Sequence, residues 1–189
     1  MFDDQQNKQS LRLKYRKIRQ SVQNKGEACK KISTLFIKNF GDSCSVVVSG
    51  YLPTDFEVDA LPLMMHFKKL KKKVVIPSIY KESLVFVDWD AESQFKYSSI
   101  TCNQNTAMFY TPDLIITPLV AFDKNCMRLG FGGGYFDRLI SLFRQKNHKF
   151  LCVGLAYQSQ LCRQIPTEEH DQALDAVVTE ENIYLKSNL

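Results

Sequence analysis

The stretch "RLGFGGGYFDR", residues 128 to 138, holds four glycines within five positions, with Arg128 before them and the carboxylate Asp137 after them. It follows the apolar run "DLIITPLVAF" and precedes "YFDRLISLFRQK", where Phe136, Leu139, Ile140 and Phe143 recur at helical spacing, so the loop feeds a helix N-terminus. Unpaired N–H groups there carry about half a positive charge, and glycines let an anion approach backbone that a Cβ would block. A guanidinium at one end can grip phosphate oxygens as a fork, and a carboxylate at the other can hold a hydrated magnesium ion against them. A tight strand-to-helix turn would also use glycines; Arg128 and Asp137 tip the reading towards a phosphate site. No Lys-Ser/Thr pair follows, and Tyr135 takes the last position of G-x-G-x-x-G, so this is neither a Walker A loop nor a dinucleotide fingerprint.

A second chemical feature lies near the start. "KQSLRLKYRKIRQSV" puts Leu11, Tyr15, Ile18 and Val22 on one helical stripe and Lys8, Arg12, Arg16 and Arg19 on its neighbour. Ten Lys or Arg lie between Lys8 and Lys38 against Glu27 alone, while Glu168 to Glu181 carries acids only, within a net charge of +5. An anionic partner is expected, and charge does not choose among nucleic acid, nucleotide and polycarboxylate. Periodicity alone makes the basic stripe a solvated helix face, and "KKLKKK", residues 68 to 73, a helix end whose cations oppose the dipole.

These residues need a scaffold. A helix is predicted over 8–22 and another over 27–39, then a strand in "CSVVVSGYLP" and a helix in "EVDALPLMMHFKKLKKK" with Pro62 in its first turn. "KVVIPSIY", "SLVFVDWD", "DLIITPLVAF", "KFLCVGLAY" and "DAVVTE" read as strands, the first two as an antiparallel hairpin. The expected fold is α/β: residues 1–189 as one three-layer domain, a mixed, largely parallel sheet flanked by helices, with the N-terminal basic helix packed on the core. The apolar run from Leu114 to Phe122 is too short to cross a bilayer, the first residues are polar and acidic, and six cysteines form no C-x-x-C pair. Three scattered histidines offer no local zinc site. A soluble, cytoplasmic protein is expected.

"DLIITPLVAFDKNCMRLGFGGGYFDR" resembles the signature of the 5-formyltetrahydrofolate cyclo-ligase (5,10-methenyltetrahydrofolate synthetase) family: a strand ending in Ala-Phe-Asp, Arg-Leu-Gly, a glycine run, an aromatic pair and Asp-Arg. "KQSLR", "GYLPTDFEVD" and "GLAYQSQLCRQIPTEEHDQALDAVVTE" extend the resemblance over nearly the whole chain in the family's order. The resemblance implies ATP- and magnesium-dependent closure of 5-formyltetrahydrofolate to 5,10-methenyltetrahydrofolate. It implies ATP contacts from Lys8, Gln9, Ser10, Leu11 and Arg12, and from Arg128, Leu129, Gly130, Phe131, Gly132, Gly133, Gly134, Tyr135 and Phe136. Lys8, Arg12 and Arg128 would carry catalysis through charge. Leu52 and Glu57 would contact folate, with Phe131 to Tyr135 between the two substrates. Asp137 and Asp171 would be metal ligands, with Asp175, one helical turn on, as the alternative second ligand.

Three positions depart from the family pattern. Cys126 stands where the family usually has glycine, Phe136 replaces the second of two tyrosines, and the Glu-Pro pair expected before the signature strand has no counterpart in "SSITCNQNTAMFYTPD". Arg16 and Arg19 stay as surface charge, Glu57 without the resemblance would be a first-turn acid, His170 is given no catalytic role, and the Met64 and Met65 pair is assigned to the core, with an apolar pocket wall for the pterin ring as the alternative for Met64. The competing readings are a nucleic-acid-binding protein and a sugar-phosphate isomerase or acyl-transfer enzyme on a similar scaffold. A monomer binding neither nucleic acid nor membrane is expected.

Overall fold

The computed structural model describes residues 2–43, 46–90 and 108–186, with side chains from residue 7 onward. Two helices come first, α1 (Phe2–Ser21) and α2 (Lys25–Phe40), separated by Asn24 in the left-handed region at φ 51°. Then come β1 (Val47–Ser49), α3 (Leu61–Lys69), β2 (Lys73–Tyr80), β3 (Ser83–Asp88), β4 (Leu114–Pro118), β5 (Ala121–Phe122), β6 (Arg128–Leu129), α4 (Tyr135–Gln145), β7 (Leu151–Leu155), β8 (Ala176–Val178) and β9 (Ile183–Leu185).

The main sheet has seven strands in the order β3-β2-β1-β4-β7-β8-β9, and β5 and β6 form a separate ribbon. Pairing is parallel from β2 through β8 and antiparallel at both edges, β2 with β3 and β8 with β9. The period-2 alternation of β4 divides the core: Leu114 and Ile116 join Val48, Val153, Ile32, Phe36, Leu63 and Phe67 under α2 and α3. Ile115 faces the other way, with Phe122, Cys152, Leu139 and Ile140 under α4. Both faces are covered, which is why these strands read as continuous apolar runs. The three-layer, largely parallel α/β fold expected from the sequence is the one observed.

From β1 the chain winds outward through α3 to β2, and later returns to β4 on the opposite side of β1. The strand order therefore reverses between β1 and β4, and the crevice beyond their carboxyl ends is where open α/β sheets bind ligands.

Several boundaries differ from the expectation. "DLIITPLVAF" is not one strand: β4 ends at Pro118, which has no N–H, and the Leu119 carbonyl accepts from Arg19 and Gln160 side chains instead of a neighbouring strand. α3, by contrast, starts at Leu61 with Pro62 in its first turn as expected, and just ahead of it the Asp59 carboxylate accepts the Leu61 N–H at 2.9 Å. Met64 is buried, but Met65 is 42% exposed, so only one of the pair is core. "EEHDQALD" forms a turn and extended chain, so Asp175 is not one helical turn beyond Asp171. Neither the β5–β6 ribbon nor β9 was expected, both being too short for an alternation to register.

Cys29, Cys126, Cys152 and Cys162 are buried free thiols, and Cys44 and Cys102 lie outside the described residues, as do residues 98 to 107 of the segment lacking the Glu-Pro pair. Burial pushes the Cys126 and Cys152 thiols up to about 12, so both stay protonated. Among the described residues no helix is long and apolar enough to cross a membrane.

Cys126 adopts φ 59°, so the turn keeps a left-handed residue where the resemblance expects glycine. The turn is held by Asp123, whose carbonyl accepts the Cys126 N–H at 3.0 Å and whose Oδ1 accepts from Asn125 and Met127. Replacing Cys126 by glycine relieves the backbone while replacing it by alanine does not, and both lose the same buried sulfur. Cys126→Gly should therefore be more stable than Cys126→Ala by about 1 kcal/mol in urea unfolding; equal stability would show that the turn stores no strain.

Candidate active site

The glycine loop joins β6 to α4, and two of its glycines are conformationally required: Gly132 at φ 110° and Gly134, the α4 N-cap, at φ 63°. The open N–H groups of α4 lie at a shallow cavity lined by Gly132, Gly133, Gly134, Asp137, Arg138 and His170. An anion seated there would meet the helix dipole and bare backbone.

Helix α1 lies against this loop. Arg12 Nε donates to the Gly130 carbonyl at 2.8 Å, and a Cβ placed on Gly132 would stand 3.5 Å from the Arg12 guanidinium carbon. One turn earlier Lys8, although a lysine, is buried: its ammonium bonds Asp171 at 2.6 Å and lies 3.2 Å from Glu168. Burial raises the Asp171 carboxyl, but the Lys8 ammonium and the Glu168 N–H outweigh it and hold that group below its ordinary value. Gln9 and Ser10 are exposed beside Lys8, and Leu11 packs with Tyr15, Val120 and Leu129 in a small core that fastens α1 to the β5–β6 ribbon.

Arg128 and Asp137, at opposite ends of the loop, meet as an ion pair at 3.1 Å. Arg128 also donates to the Gln172 carbonyl at 3.2 Å, and its guanidinium lies 5.7 Å from the Phe136 ring centroid. That ring supplies a face to the cation, a contact that needs no hydroxyl. Asp137 Oδ1 accepts the Gln172 N–H at 3.1 Å, which brings the segment carrying Asp171 beside the first turn of α4.

Asp137, which lines the anion cradle, and Asp171, in the segment that Asp137 holds through the Gln172 N–H, are a donor set that would fit magnesium. Such an ion takes one or two carboxylates, keeps waters and shares phosphate oxygens, so it needs no all-protein cage. Among the described residues no cluster of three or more His, Cys, Asp or Glu is placed to hold a metal. Asp175 is engaged elsewhere: it accepts the Cys152 N–H at 2.7 Å at the amino end of β7 and faces Arg144 at 3.5 Å. His170 is exposed, with its Nε2 3.2 Å from the Glu168 carboxylate.

At the strand reversal lies a second cluster. Tyr51 and Leu52 follow β1, and Leu52 packs, half-buried, on the main core. Glu57 is buried; its Oε2 accepts from the Thr54 N–H at 2.8 Å and from the Thr54 hydroxyl at 3.3 Å. It is not a first-turn acid. Opposite it, 3.7 Å away, is Arg19, 0% exposed, donating to the Leu119 carbonyl at 3.2 Å. Arg19 is therefore not surface charge, and periodicity missed it because its stripe is solvated only at Arg16, which pairs with Asp55. Burial pushes the Glu57 carboxyl up, partly offset by Thr54 and Arg19; burial pulls the Arg19 guanidinium down, partly offset by Glu57.

Phe131 connects the two clusters. It leaves the tip of the glycine loop 49% exposed, with its ring centroid 5.5 Å from the Arg16 guanidinium and 5.8 Å from that of Arg19. Tyr135 turns the other way, its ring beneath Arg138 at 4.8 Å.

The model of the 5-formyltetrahydrofolate cyclo-ligase family matches residues 4–180. The 5-formyltetrahydrofolate cyclo-ligase of Escherichia coli K12 is 32% identical over 146 residues, covering 72% of this chain and 79% of that protein. The Haemophilus influenzae protein of the same name is 29% identical over 180 residues, covering 89% and 95%. The solution structure of Aquifex aeolicus 5,10-methenyltetrahydrofolate synthetase superposes with a TM-score of 0.75 at 26% identity, covering 96% of this chain and 94% of that one.

Gly132 sits at a backbone angle that side chains rarely adopt, so an added Cβ would strain the loop although it would only touch Arg12. Gly132→Ala should weaken binding of a nucleoside triphosphate at least tenfold in calorimetry, with the far-ultraviolet circular dichroism unchanged; undiminished binding would mean that the loop does not cradle the phosphates.

Proposed function

The chain belongs to the 5-formyltetrahydrofolate cyclo-ligase family, and on that premise we propose that it closes 5-formyltetrahydrofolate to 5,10-methenyltetrahydrofolate at the expense of ATP, with magnesium. The observation that carries this reading is the seating of one helix on both clusters: Arg12 reaches the glycine loop while Arg19, two turns on, faces Glu57 at the strand reversal. A phosphate site and a buried organic site thus share Phe131 as their common wall.

ATP lies with its phosphates on the N–H groups of Gly132 to Tyr135. Arg128 leaves Asp137 for the γ-phosphate, and Lys8 and Arg12 approach from α1. Asp137 and Asp171 would hold magnesium, which would supply charge neutralisation to the phosphates. Leu52 and Glu57 hold the folate so that its formyl oxygen faces the γ-phosphorus. The formyl oxygen attacks, the bond to the β-phosphate oxygen breaks and ADP leaves; N10 then adds to the activated carbon and loses its proton. The C–O bond breaks, phosphate departs and the N5–C–N10 amidinium remains. No side chain acts as nucleophile, and the protein contributes position and charge.

The residues assigned to the site all belong to this one chain, which supports a monomer of one domain as the proposed working form, and the buried free thiols among the described residues fit a reducing, cytoplasmic setting. The burial of Arg19 against Glu57 breaks the basic stripe as a continuous charged face, which argues against a nucleic-acid reading.

Purified protein with 5-formyltetrahydrofolate and MgATP should show the rise of the methenyl chromophore in the near ultraviolet; no ATP-dependent rise from folded protein would remove the reading. Arg128→Ala should lower turnover on the order of 100-fold, equivalent to about 3 kcal/mol for one preorganised donor. Glu57→Gln should chiefly raise the KM for folate, and the reverse pattern would mean the two clusters are assigned the wrong way round.

A further inference from the structure

Four buried polar side-chain atoms lack any hydrogen-bond partner among the described residues, and three of them belong to one place: Arg19 Nε, Arg19 Nη2 and Glu57 Oε1. The Arg19 side chain is 0% exposed and that of Glu57 is 3%. Buried polar groups are nearly always hydrogen-bonded, and the Arg19–Glu57 ion pair at 3.7 Å is too long to supply a hydrogen bond, so three orphaned atoms at the strand reversal mark a ligand rather than a packing accident.

The orphans specify what that ligand offers. Nε and Nη2 form one edge of a guanidinium, two parallel N–H donors that take an acceptor. Glu57 Oε1, which lies 3.7 Å from the third guanidinium nitrogen, Nη1, requires a donor. A phosphate or carboxylate would satisfy Arg19 but press against Glu57 in a dry site. The wider field also leaves no room for net charge: Arg16 and Arg19 from α1 are balanced by Asp55 and Glu57 from the segment after β1, with the Tyr51 hydroxyl alongside. The fitting group is neutral and planar, with a carbonyl acceptor next to an N–H.

We propose that Arg19 and Glu57 together read the lactam edge of the substrate's pterin ring, the 4-oxo group on the Arg19 fork and the adjacent ring N–H on Glu57 Oε1. This makes Arg19 a specificity-determining residue, and it rests on the folate reading above. Access requires Phe131 to swing off the guanidinium it covers; its ring is half-exposed and borne on the glycine loop, whose backbone has the freedom to turn. Leu119 fixes the remaining Arg19 nitrogen through its carbonyl, so the fork is held in place before the ligand arrives.

The test has two arms after turnover of the unmodified protein has been established. First, equilibrium binding to the unmodified protein is compared for 5-formyltetrahydrofolate and for its counterpart carrying a 4-amino group, which turns a donor towards the Arg19 fork; the 4-amino compound should bind at least tenfold more weakly. Second, Arg19→Lys keeps the charge beside Glu57 but loses the fork: KM for the folate should rise at least tenfold with KM for ATP unchanged and the melting temperature retained. Equal binding of the two pteridines, or an unchanged folate KM in Arg19→Lys while the unmodified enzyme turns over normally, overturns the inference and leaves the function standing. An unmodified protein that neither turns over nor binds either pteridine removes both.

Discussion

Buried charge has to be answered by opposite charge or by hydrogen bonds, and in this protein one helix carries the charge that the site is organised around. Along α1, Lys8 is answered by Asp171 and Glu168, Arg12 by the Gly130 carbonyl, and Arg19 by the Leu119 carbonyl and Glu57. Those partners come from several irregular segments, with Glu168 and Asp171 sharing one turn. Through these pairings an amphipathic helix outside the main sheet fixes the relative positions of the glycine loop, the acidic 168–171 turn and the ends of β1 and β4. The apolar stripe of α1 makes the arrangement rigid, with Tyr15 buried against Val120, Leu129, Cys162 and Ile165.

The sheet supplies the other constraint. Its order reverses between β1 and β4, so Glu57 and Leu119 end up facing each other although they are far apart in the chain. The Asp123 turn then folds the chain back through the β5–β6 ribbon, with Asp123 Oδ2 accepting the Ile165 N–H at 3.0 Å, and delivers Arg128 to the mouth of the glycine loop. Arg128 and Asp137 neutralise each other, so a phosphate and its counterion would exchange partners with an existing pair and create no isolated charge.

The layers, the parallel core and the antiparallel hairpin were legible in the sequence because doubly covered strands are continuous apolar runs and α4 has a wide apolar stripe. The glycine loop was legible because few turns pair such a run with a preceding arginine and a following aspartate. Arg19 was not. Its position on a basic helical stripe is indistinguishable, by spacing, from that of Arg16, and only the strand reversal decides that one is buried and the other stays at the surface. The roles of Asp123 and Asp175 were likewise hidden: both are spent on backbone N–H groups whose proximity follows from the tertiary fold. The β5–β6 ribbon escaped for a simpler reason, since two residues per strand carry no periodicity.

The central claim is that the two clusters sharing Phe131 bring the formyl oxygen onto the γ-phosphorus, so that ATP activates the substrate directly. The most direct measurement uses 5-formyltetrahydrofolate carrying oxygen-18 in its formyl group, with the phosphate formed in one round of turnover examined for the label. The account predicts that the heavy oxygen appears in the inorganic phosphate. Label released into water, with unlabelled phosphate, would contradict it.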